Sequence, residues 1–271
     1  MAHAPGGRGR RPPVLKKFGQ HFLSDKTILT AIVDALAPTP SDTVVEVGPG
    51  RGSLTDILVE RAGWVVAVEI DRALAENLRD KYHSRSNVEI VEDDFLDVDI
   101  RAEVGRDYLL IGNVPYYITT PIVFKALEPP VPRRSVFLVQ REVAERMAAK
   151  AGDEAYGALT VNVAVVANVE QVLTVPAAAF RPPPKVESAV VRLTPLKEPL
   201  VAAESLQPFR TFVQAAFGQR RKQMQRMLRT VRGLSTEAAI ELLGASGIQP
   251  SARPEVVTAE QFASLFTAVD S

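Results

Sequence analysis

The most specific chemical pattern in the sequence is Gly112-Asn113-Val114-Pro115-Tyr116-Tyr117, which directly follows a predicted buried strand. An exocyclic adenine amine is a poor nucleophile, because its lone pair is delocalised into the ring. The Asn113 carbonyl and a nearby backbone carbonyl can accept both amine hydrogens and direct that lone pair at a sulfonium methyl group. Pro115 fixes the local backbone, and Tyr116 can stack on the base. The pattern predicts methyl transfer to adenine, although an ordinary turn at a strand end is the plainer alternative.

A glycine-rich turn, Glu46-Val47-Gly48-Pro49-Gly50-Arg51-Gly52, follows the first predicted strand of the sheet. Gly48 and Gly50 allow the backbone to pass close to a ligand, because no side chain stands in the way. A dinucleotide fingerprint has its third glycine at the sixth position of the motif, which here is Ser53. The turn therefore favours a ligand with an amino-acid tail, such as S-adenosylmethionine, over a nicotinamide cofactor. A tight turn without a ligand is the alternative.

Two carboxylates follow the next two predicted strands. Glu69 ends the second strand, about twenty residues after the glycine turn, where a carboxylate can accept hydrogen bonds from both hydroxyls of a ribose. Asp94 follows the third strand and can accept a hydrogen bond from the amine of a cofactor adenine, with Phe95 beside the ring. Taken singly, an acid after a strand is more often a solvated or helix-capping group. Because ligands bind at the carboxyl ends of parallel strands, we expect them to share one cofactor site.

A proline-rich segment, Phe180-Arg181-Pro182-Pro183-Pro184-Lys185-Val186-Glu187-Ser188, leads into a late strand. We predict that it holds Phe180 over the pocket as the second face of an aromatic clamp on a flipped base, and that it places Lys185 near RNA phosphate. The equally open alternative is that the prolines only stiffen a connection at the edge of the sheet.

Alternating apolar runs and helical patterns indicate the elements that position these residues. They are typical of an α/β protein with a largely parallel sheet. Strands are predicted at 43–47, 65–68, 88–91, 108–111, 135–139, 169–175 and 188–193, and helices at 53–61, 72–81, 122–127 and 141–149. Strand signals end at Thr194, so we place a domain boundary near residue 197. The predicted domains are a disordered basic arm at 1–15, a Rossmann-like domain at 16–197 and a helical RNA-binding domain at 198–271.

The formal net charge of the chain is +0, but its basic residues are unevenly distributed. Five of them and no acid lie between Met1 and Ser24, and seven and no acid lie between Leu206 and Leu234. A helical pattern runs through the second segment and predicts that Met224, Met227 and Leu228 form its buried side. A solvated surface is the plain interpretation of both segments. The alternative is an RNA-facing surface that includes Arg220, Arg221, Lys222 and Arg226.

The absence of cysteine excludes disulfides and thiolate metal ligands, and three histidines leave no histidine-rich metal cluster. No run approaches the roughly 20 apolar residues of a membrane span, and the basic N-terminus lacks the apolar core of a signal peptide. We therefore expect a soluble, cytoplasmic monomer that uses no metal and has no membrane partner.

Five ordered motifs make the chain similar to the bacterial ribosomal RNA small-subunit adenine dimethyltransferases, the kasugamycin-sensitivity family, from about residue 15 to the C-terminus. The resemblance implies a class I S-adenosylmethionine-dependent methyltransferase, with a mostly parallel seven-stranded sheet and a small all-α C-terminal domain. It implies dimethylation of two adjacent adenines in the loop of the 3′-terminal hairpin of 16S rRNA, within an immature small ribosomal subunit. The motifs are Lys17-Phe18-Gly19-Gln20-His21-Phe22-Leu23, the glycine turn at 46–52, residues 113–116, the proline segment at 180–188 and Phe217-Gly218-Gln219-Arg220-Arg221-Lys222.

The same resemblance implies roles for the matching residues. The family more often has asparagine at the positions of His21 and Tyr117, so the chain departs from the pattern at the cofactor's entry and beside the core motif. The implied cofactor residues are His21 and Leu23 at its entry, Gly48 with Gly50 at its amino-acid end, Glu69 at its ribose, Asp94 at its adenine and Asn113 at the reacting amine.

Other functions share parts of this pattern. Antibiotic-resistance methyltransferases of the same fold modify an adenine in large-subunit rRNA, but the motif at 217–222 favours the small-subunit enzyme. An alternative from another class is a ribosome assembly factor, whose basic helical region holds an immature subunit while catalysis is secondary. A nicotinamide dehydrogenase is disfavoured by the early position of Gly52.

Overall fold

The computed structural model of the protein describes residues 21–105, 107–219 and 222–270. Within these ranges the α/β class is confirmed, and each predicted strand agrees with an observed one to within two residues at each end. The strands are β1 Phe22–Leu23, β2 Thr43–Val47, β3 Trp64–Glu69, β4 Val88–Glu92, β5 Leu109–Asn113, β6 Arg134–Gln140, β7 Ala167–Val175, β8 Phe180–Arg181 and β9 Ser188–Pro195. The helices are α1 Lys26–Leu36, α2 Thr55–Arg61, α3 Arg72–Tyr82, α4 Ile100–Val104, α5 Thr119–Ala126, α6 Arg141–Ala148, α7 Ala158–Ala164, α8 Leu206–Gly218, α9 Met224–Arg232, α10 Thr236–Ala245 and α11 Ala259–Asp270.

Seven strands form one sheet in the order β4-β3-β2-β5-β6-β9-β7. The first five strands of this order are parallel, and β9 is antiparallel to both of its neighbours. Val47 on β2 lies opposite Val68 on β3 and Gly112 on β5. The carboxyl ends of these strands therefore meet at one edge of the sheet, which is where parallel sheets bind ligands.

Both faces of the sheet are covered by apolar layers. Adjacent residues of β2, Val44 and Val45, are fully buried in different hydrophobic clusters, because successive side chains of a strand point to opposite faces. The near-continuous valine and leucine runs of β2, β3 and β5 follow from burial on both sides.

Helix α1 is absent from the predicted elements and packs on one face of the sheet. The Asp25 side chain caps it by accepting hydrogen bonds from the backbone N–H groups of Thr27 and Ile28. Its buried residues Leu29, Ile32, Val33 and Leu36 recur every three or four positions, so the sequence does carry a signal for this helix. The short helices α4 and α7 are also additional to the prediction.

A separate two-stranded ribbon joins β1 to β8, with Phe22 opposite Arg181 and Leu23 opposite Phe180. The ribbon connects the first described residues to the proline-rich segment.

The C-terminal helices pack against the sheet region through a buried aromatic cluster. Phe217 on α8 lies between the rings of Tyr156 and Phe262, at centroid distances of 6.1 and 5.8 Å. The predicted buried side of α9 is confirmed, because Met224, Met227 and Leu228 are fully buried.

Arg210 belongs to the basic segment that was predicted to face RNA, but it is not exposed. Its side chain is buried on α8, forms an ion pair with Glu128 and places its guanidinium 4.2 Å from the centroid of the Phe124 ring. This arginine connects α8 to the end of α5 and does not contribute to an exposed basic surface.

Across residues 21–105, 107–219 and 222–270, the structure contains no helix with the length and apolar character that a membrane span requires.

Candidate active site

A pocket lies at the carboxyl ends of β2, β3, β4 and β5, and β1 forms part of its wall. It brings together all seven predicted cofactor residues and Tyr116, although they come from five separate segments of the chain. The lining residues are 21–23, 29, 46–50, 53–54, 68–70, 93–95, 113–118 and 122.

The glycine turn after β2 forms the floor of this pocket. Gly48 and Gly50 have positive φ angles of 65° and 59°, a conformation that a side chain would strain. The Gly48 N–H donates to the carbonyl of Val68 at 2.9 Å, which ties the turn to β3. A Cβ atom on Gly50 would lie 3.1 Å from the ring of Phe22. The turn therefore presents bare backbone to a ligand, as the amino-acid end of S-adenosylmethionine would require.

Glu69 is held rigidly at the end of β3. Its two carboxylate oxygens accept separate hydrogen bonds, from the N–H of Gly50 at 2.9 Å and from the N–H of Asp71 at 2.9 Å. Burial raises the pKa of Glu69, while these two hydrogen bonds lower it. A fixed acceptor beside the glycine turn is suited to the hydroxyls of a ribose.

Glu46 is a second buried carboxyl group in the pocket wall, and its role was not predicted from the sequence. It is 1% exposed and accepts a hydrogen bond from the Thr55 hydroxyl at 2.6 Å. Burial raises the pKa of Glu46 to about 8, with a smaller contribution from the charge of Glu69. Glu46 is therefore largely protonated near neutral pH, and the pocket carries less negative charge than its composition indicates.

The raised pKa of Glu46 predicts a pH-dependent stability. Folded Glu46 keeps a proton that the unfolded chain releases above its ordinary pKa of 4.5, so the stability of the folded state falls as pH rises from about 5 to about 8. We expect the unfolding free energy of Glu46→Gln, relative to that of the wild type, to rise by up to about 1.4 kcal/mol per pH unit in this window. Urea unfolding of the cofactor-free proteins measures the difference. Glu76→Gln, at an exposed site on α3, is the control, and a pH-independent difference for Glu46→Gln would contradict the assignment.

The loop after β4 is held in place by Lys125 of α5. Its ammonium group donates to the carbonyls of Leu96 at 2.8 Å and Val98 at 2.7 Å, and it lies 5.2 Å from the centroid of the Phe95 ring. One oxygen of Asp94 accepts from the N–H of Leu96 at 2.9 Å. These contacts orient Asp94 and Phe95 together at the edge of the pocket, where the cofactor's adenine is expected.

Asn113 ends β5 at the centre of the pocket. Its amide nitrogen donates to the backbone carbonyl of His21 at 3.1 Å, so the assigned orientation leaves the side-chain oxygen to accept hydrogen bonds from a bound group. The N-terminal segment thus positions the residue that is predicted to hold the reacting amine.

Tyr116 is fixed by its ring and by its hydroxyl. The ring stacks on the His21 imidazole, with centroids 5.9 Å apart and an angle of 23° between the planes. The hydroxyl lies 2.6 Å from that of Ser188, which is fully buried at the start of β9. The Nδ1 atom of His21 is 2.9 Å from the carbonyl oxygen of Pro182. The proline segment therefore shapes this part of the pocket by securing His21.

The structure does not place Phe180 over the pocket as expected. Its ring is fully buried, packs in the hydrophobic cluster around α1 and is absent from the pocket wall. Pairing with Leu23 sets the strand register that turns this side chain into the core. The ring that stacks on Tyr116 is His21, and the expected position of Phe180 over the pocket is wrong for this structure.

The residues predicted to contact RNA phosphate are not part of the pocket. Lys185 and Lys222 are exposed side chains outside it. Arg220 and Arg221 lie outside the described residues.

Several apolar residues of the pocket wall are additional to the sequence prediction. Ile70 follows Glu69 directly and is 49% exposed, and Phe22 lies beneath the guanidinium of Arg51 at 4.2 Å. The sequence carries no strong signal for Ile70, because a single apolar residue after a strand is ordinary. The wall combines a glycine turn, a fixed carboxylate, apolar surface and a polar amide, which fits S-adenosylmethionine.

Known proteins with related sequences are ribosomal RNA methyltransferases. The model of the ribosomal RNA adenine dimethylase family matches residues 14–271. A ribosomal RNA small subunit methyltransferase A of Alkaliphilus oremlandii is 42% identical, with 91% of this chain and 88% of the relative covered. The protein of the same name from Geobacter metallireducens is 38% identical, with 97% of this chain and 98% of the relative covered.

Two solved structures each resemble at least 90% of the chain. The 23S rRNA methyltransferase ErmE has a TM-score of 0.72 and 31% identity, and the similarity covers 92% of this chain and 100% of that one. A dimethyladenosine transferase from Plasmodium falciparum has a TM-score of 0.75 and 26% identity, over 90% of this chain and 96% of that one.

Proposed function

The chain belongs to the ribosomal RNA adenine dimethylase family, and we propose that it dimethylates two adjacent adenines in the loop of the 3′-terminal hairpin of 16S rRNA, with S-adenosylmethionine as the methyl donor. We further propose that it acts in the cytoplasm, as a monomer, on an immature small ribosomal subunit.

The observation that carries this proposal is the convergence of the glycine turn, Glu69, Asp94 and Asn113 in one pocket. Glu69 and Asp94 stand at the ends of adjacent strands and can hold the ribose and adenine of the cofactor. Asn113 stands beyond β2 at the end of β5, so the reacting amine would lie next to the glycine turn. This order of strand ends follows the order of the parts of the cofactor, from its adenine to its amino-acid end.

Bound S-adenosylmethionine supplies an electrophilic methyl group on a sulfonium. The side-chain oxygen of Asn113 accepts one hydrogen of the target amine and helps to turn its lone pair toward that methyl. Tyr116 supports the base by stacking, and burial raises the pKa of its hydroxyl, which keeps the ring neutral. Alignment is the main contribution of these residues, because the methylated nitrogen loses its proton readily without a strong base.

The preference for the small subunit rests on the relatives. Those named ribosomal RNA small subunit methyltransferase A are 38% to 42% identical, whereas ErmE is 31% identical. A role as an assembly factor with secondary catalysis is less well supported, because the predicted cofactor residues and Asn113 converge in one pocket.

The basic surface of the C-terminal helices is proposed to bind RNA phosphate. Lys222 and Arg226 are exposed beside the fully buried Met224 and Met227, so α9 turns its charged side away from the core. Arg220, Arg221 and Lys185 are proposed as further phosphate contacts on the basis of sequence. Such contacts position RNA and make its affinity salt-dependent.

We expect the double change Lys222→Ala, Arg226→Ala to weaken subunit binding and to reduce its salt dependence. The slope of log affinity against log salt concentration should fall by about 0.7 for each phosphate contact removed. Filter binding at several salt concentrations measures the slope, with Arg101→Ala on α4 as the control. An unchanged slope, or a parallel loss of cofactor affinity, would contradict the proposed role of α9 in RNA binding.

The proposed function is tested by methyl incorporation from labelled S-adenosylmethionine. Undermethylated small subunits and deproteinised large-subunit RNA are incubated in parallel, and the nucleosides are analysed after digestion. Dimethyladenosine from the small subunit is the expected product. Label in large-subunit RNA alone would assign the chain to the resistance enzymes, and label in neither would favour the assembly factor.

A further inference from the structure

Tyr117 is a large aromatic side chain left exposed at the mouth of the pocket. It follows Tyr116 in a short turn of 3-10 helix, Tyr116–Ile118, and lies in the pocket wall. It is 65% exposed, more than any other exposed large hydrophobic residue in the described ranges. Tyrosine is intermediate in its usual degree of burial, so a ring this exposed in the wall of a pocket calls for a physical reason.

The two neighbouring tyrosines differ in their surroundings. Tyr116 has a ring partner in His21 and a hydroxyl partner in Ser188. Within the described part of the chain, Tyr117 forms no hydrogen bond and no aromatic ring contact. The ring stack and the hydrogen bond therefore hold Tyr116 in place. Tyr117 has neither contact and contributes little to the stability of the fold.

The position of Tyr117 separates it from the predicted cofactor contacts. The residues proposed to hold the ribose and the cofactor's adenine lie at the ends of β3 and β4, on one side of β2 in the sheet. Tyr117 follows β5, on the other side of β2, four positions beyond Asn113. A ring in this place lies on the Asn113 side of the pocket, where the proposed function puts the target base.

The chemistry of the entering RNA suggests what this ring contacts. An adenine that turns into the pocket loses its stacking on the adjacent nucleotide, and that nucleotide stays at the pocket mouth. Aromatic side chains bind unstacked bases of single-stranded RNA through their faces, with little dependence on base identity.

We propose that Tyr117 stacks on the nucleotide next to the target adenine and so holds the loop of the RNA at the pocket mouth. This inference rests on the proposed function and extends it to a second base. Tyr117 is thus a substrate-binding residue, while Tyr116 supports the adenine that reacts.

A substitution series at Tyr117 distinguishes stacking from other roles. In Tyr117→Ala and Tyr117→Leu, we expect kcat/KM for undermethylated small subunits to fall about 10- to 100-fold, because a base–aromatic stack is lost. Tyr117→Phe and Tyr117→Trp should stay within about threefold of the wild type, because both retain a ring. The affinity for S-adenosylhomocysteine and the urea midpoint should be unchanged in all four variants. Ile240→Ala, at an exposed apolar site on α10, is the surface control.

Each outcome has a distinct meaning. If Tyr117→Leu retains full kcat/KM, or if kcat/KM falls as far in Tyr117→Phe as in Tyr117→Ala, the proposed stacking of Tyr117 on a base is wrong. If cofactor affinity falls together with kcat/KM, Tyr117 contacts the cofactor and the inference is wrong. If the wild type itself forms no dimethyladenosine in small subunits, the proposed function fails before the series is compared.

Discussion

Replacing Asn113 with alanine is expected to slow methyl transfer about 100- to 1000-fold, the cost of removing one well-placed hydrogen-bonding group from a reacting centre. The Asn113 amide is already oriented before any substrate enters, because its nitrogen donates to the carbonyl of His21 at 3.1 Å. Alanine removes both the oriented acceptor for the amine and the contact with the N-terminal segment. The rate should fall even when enzyme and cofactor are saturating, since the lost contact acts on the reacting amine.

Single-turnover transfer from labelled S-adenosylmethionine to undermethylated small subunits measures this effect. Asn77→Ala is a matched control, because Asn77 is an exposed residue of α3 whose amide donates to the backbone of its own helix. The control should react at the wild-type rate. A rate for Asn113→Ala within about fivefold of the wild type would show that the pocket does not use this amide for transfer.

Glu69→Ala should weaken cofactor binding by at least about 100-fold, the equivalent of losing two hydrogen bonds to a charged group. The carboxylate is 4% exposed and anchors the N–H groups of Gly50 and Asp71. Its loss removes the proposed ribose acceptor and leaves both N–H groups without their partner. The glycine turn should become less ordered as a result.

Titration calorimetry with S-adenosylhomocysteine gives the dissociation constants. Glu89→Ala, at an exposed carboxylate of β4, is the control, and its affinity should equal that of the wild type. Glu69→Gln should also bind more weakly, because its amide nitrogen would face one of the two N–H donors. Wild-type affinity in Glu69→Ala would mean that the ribose is held elsewhere.

The sequence was sufficient to predict the parallel sheet and the site residues that stand at the ends of its strands. The strands β2, β3 and β5 have near-continuous apolar patterns and β4 has a mixed one, and the glycine turn, Glu69, Asp94 and Asn113 stand where those patterns stop. Because the ends of parallel strands share one edge, residues far apart in sequence could be placed together before any contact was known.

Contacts between distant segments could not be predicted from the sequence. His21 contacts the carbonyl of Pro182, 161 positions away, and Phe180 is buried because β8 pairs with β1. An aromatic residue before three prolines fits a pocket and a core equally well, so its pattern could not decide between them. Arg210 shows the same limit, since the Glu128 that pairs with it lies 82 positions earlier.

The ribbon of β1 and β8 joins two segments that are synthesised far apart in time during translation. A nascent chain that ends before residue 180 contains the glycine turn and Glu69, but it lacks the strand that secures β1. Even after β8 emerges, β9 must still insert between β6 and β7. The pocket is therefore completed late in translation, after domain folding has begun at the N-terminus.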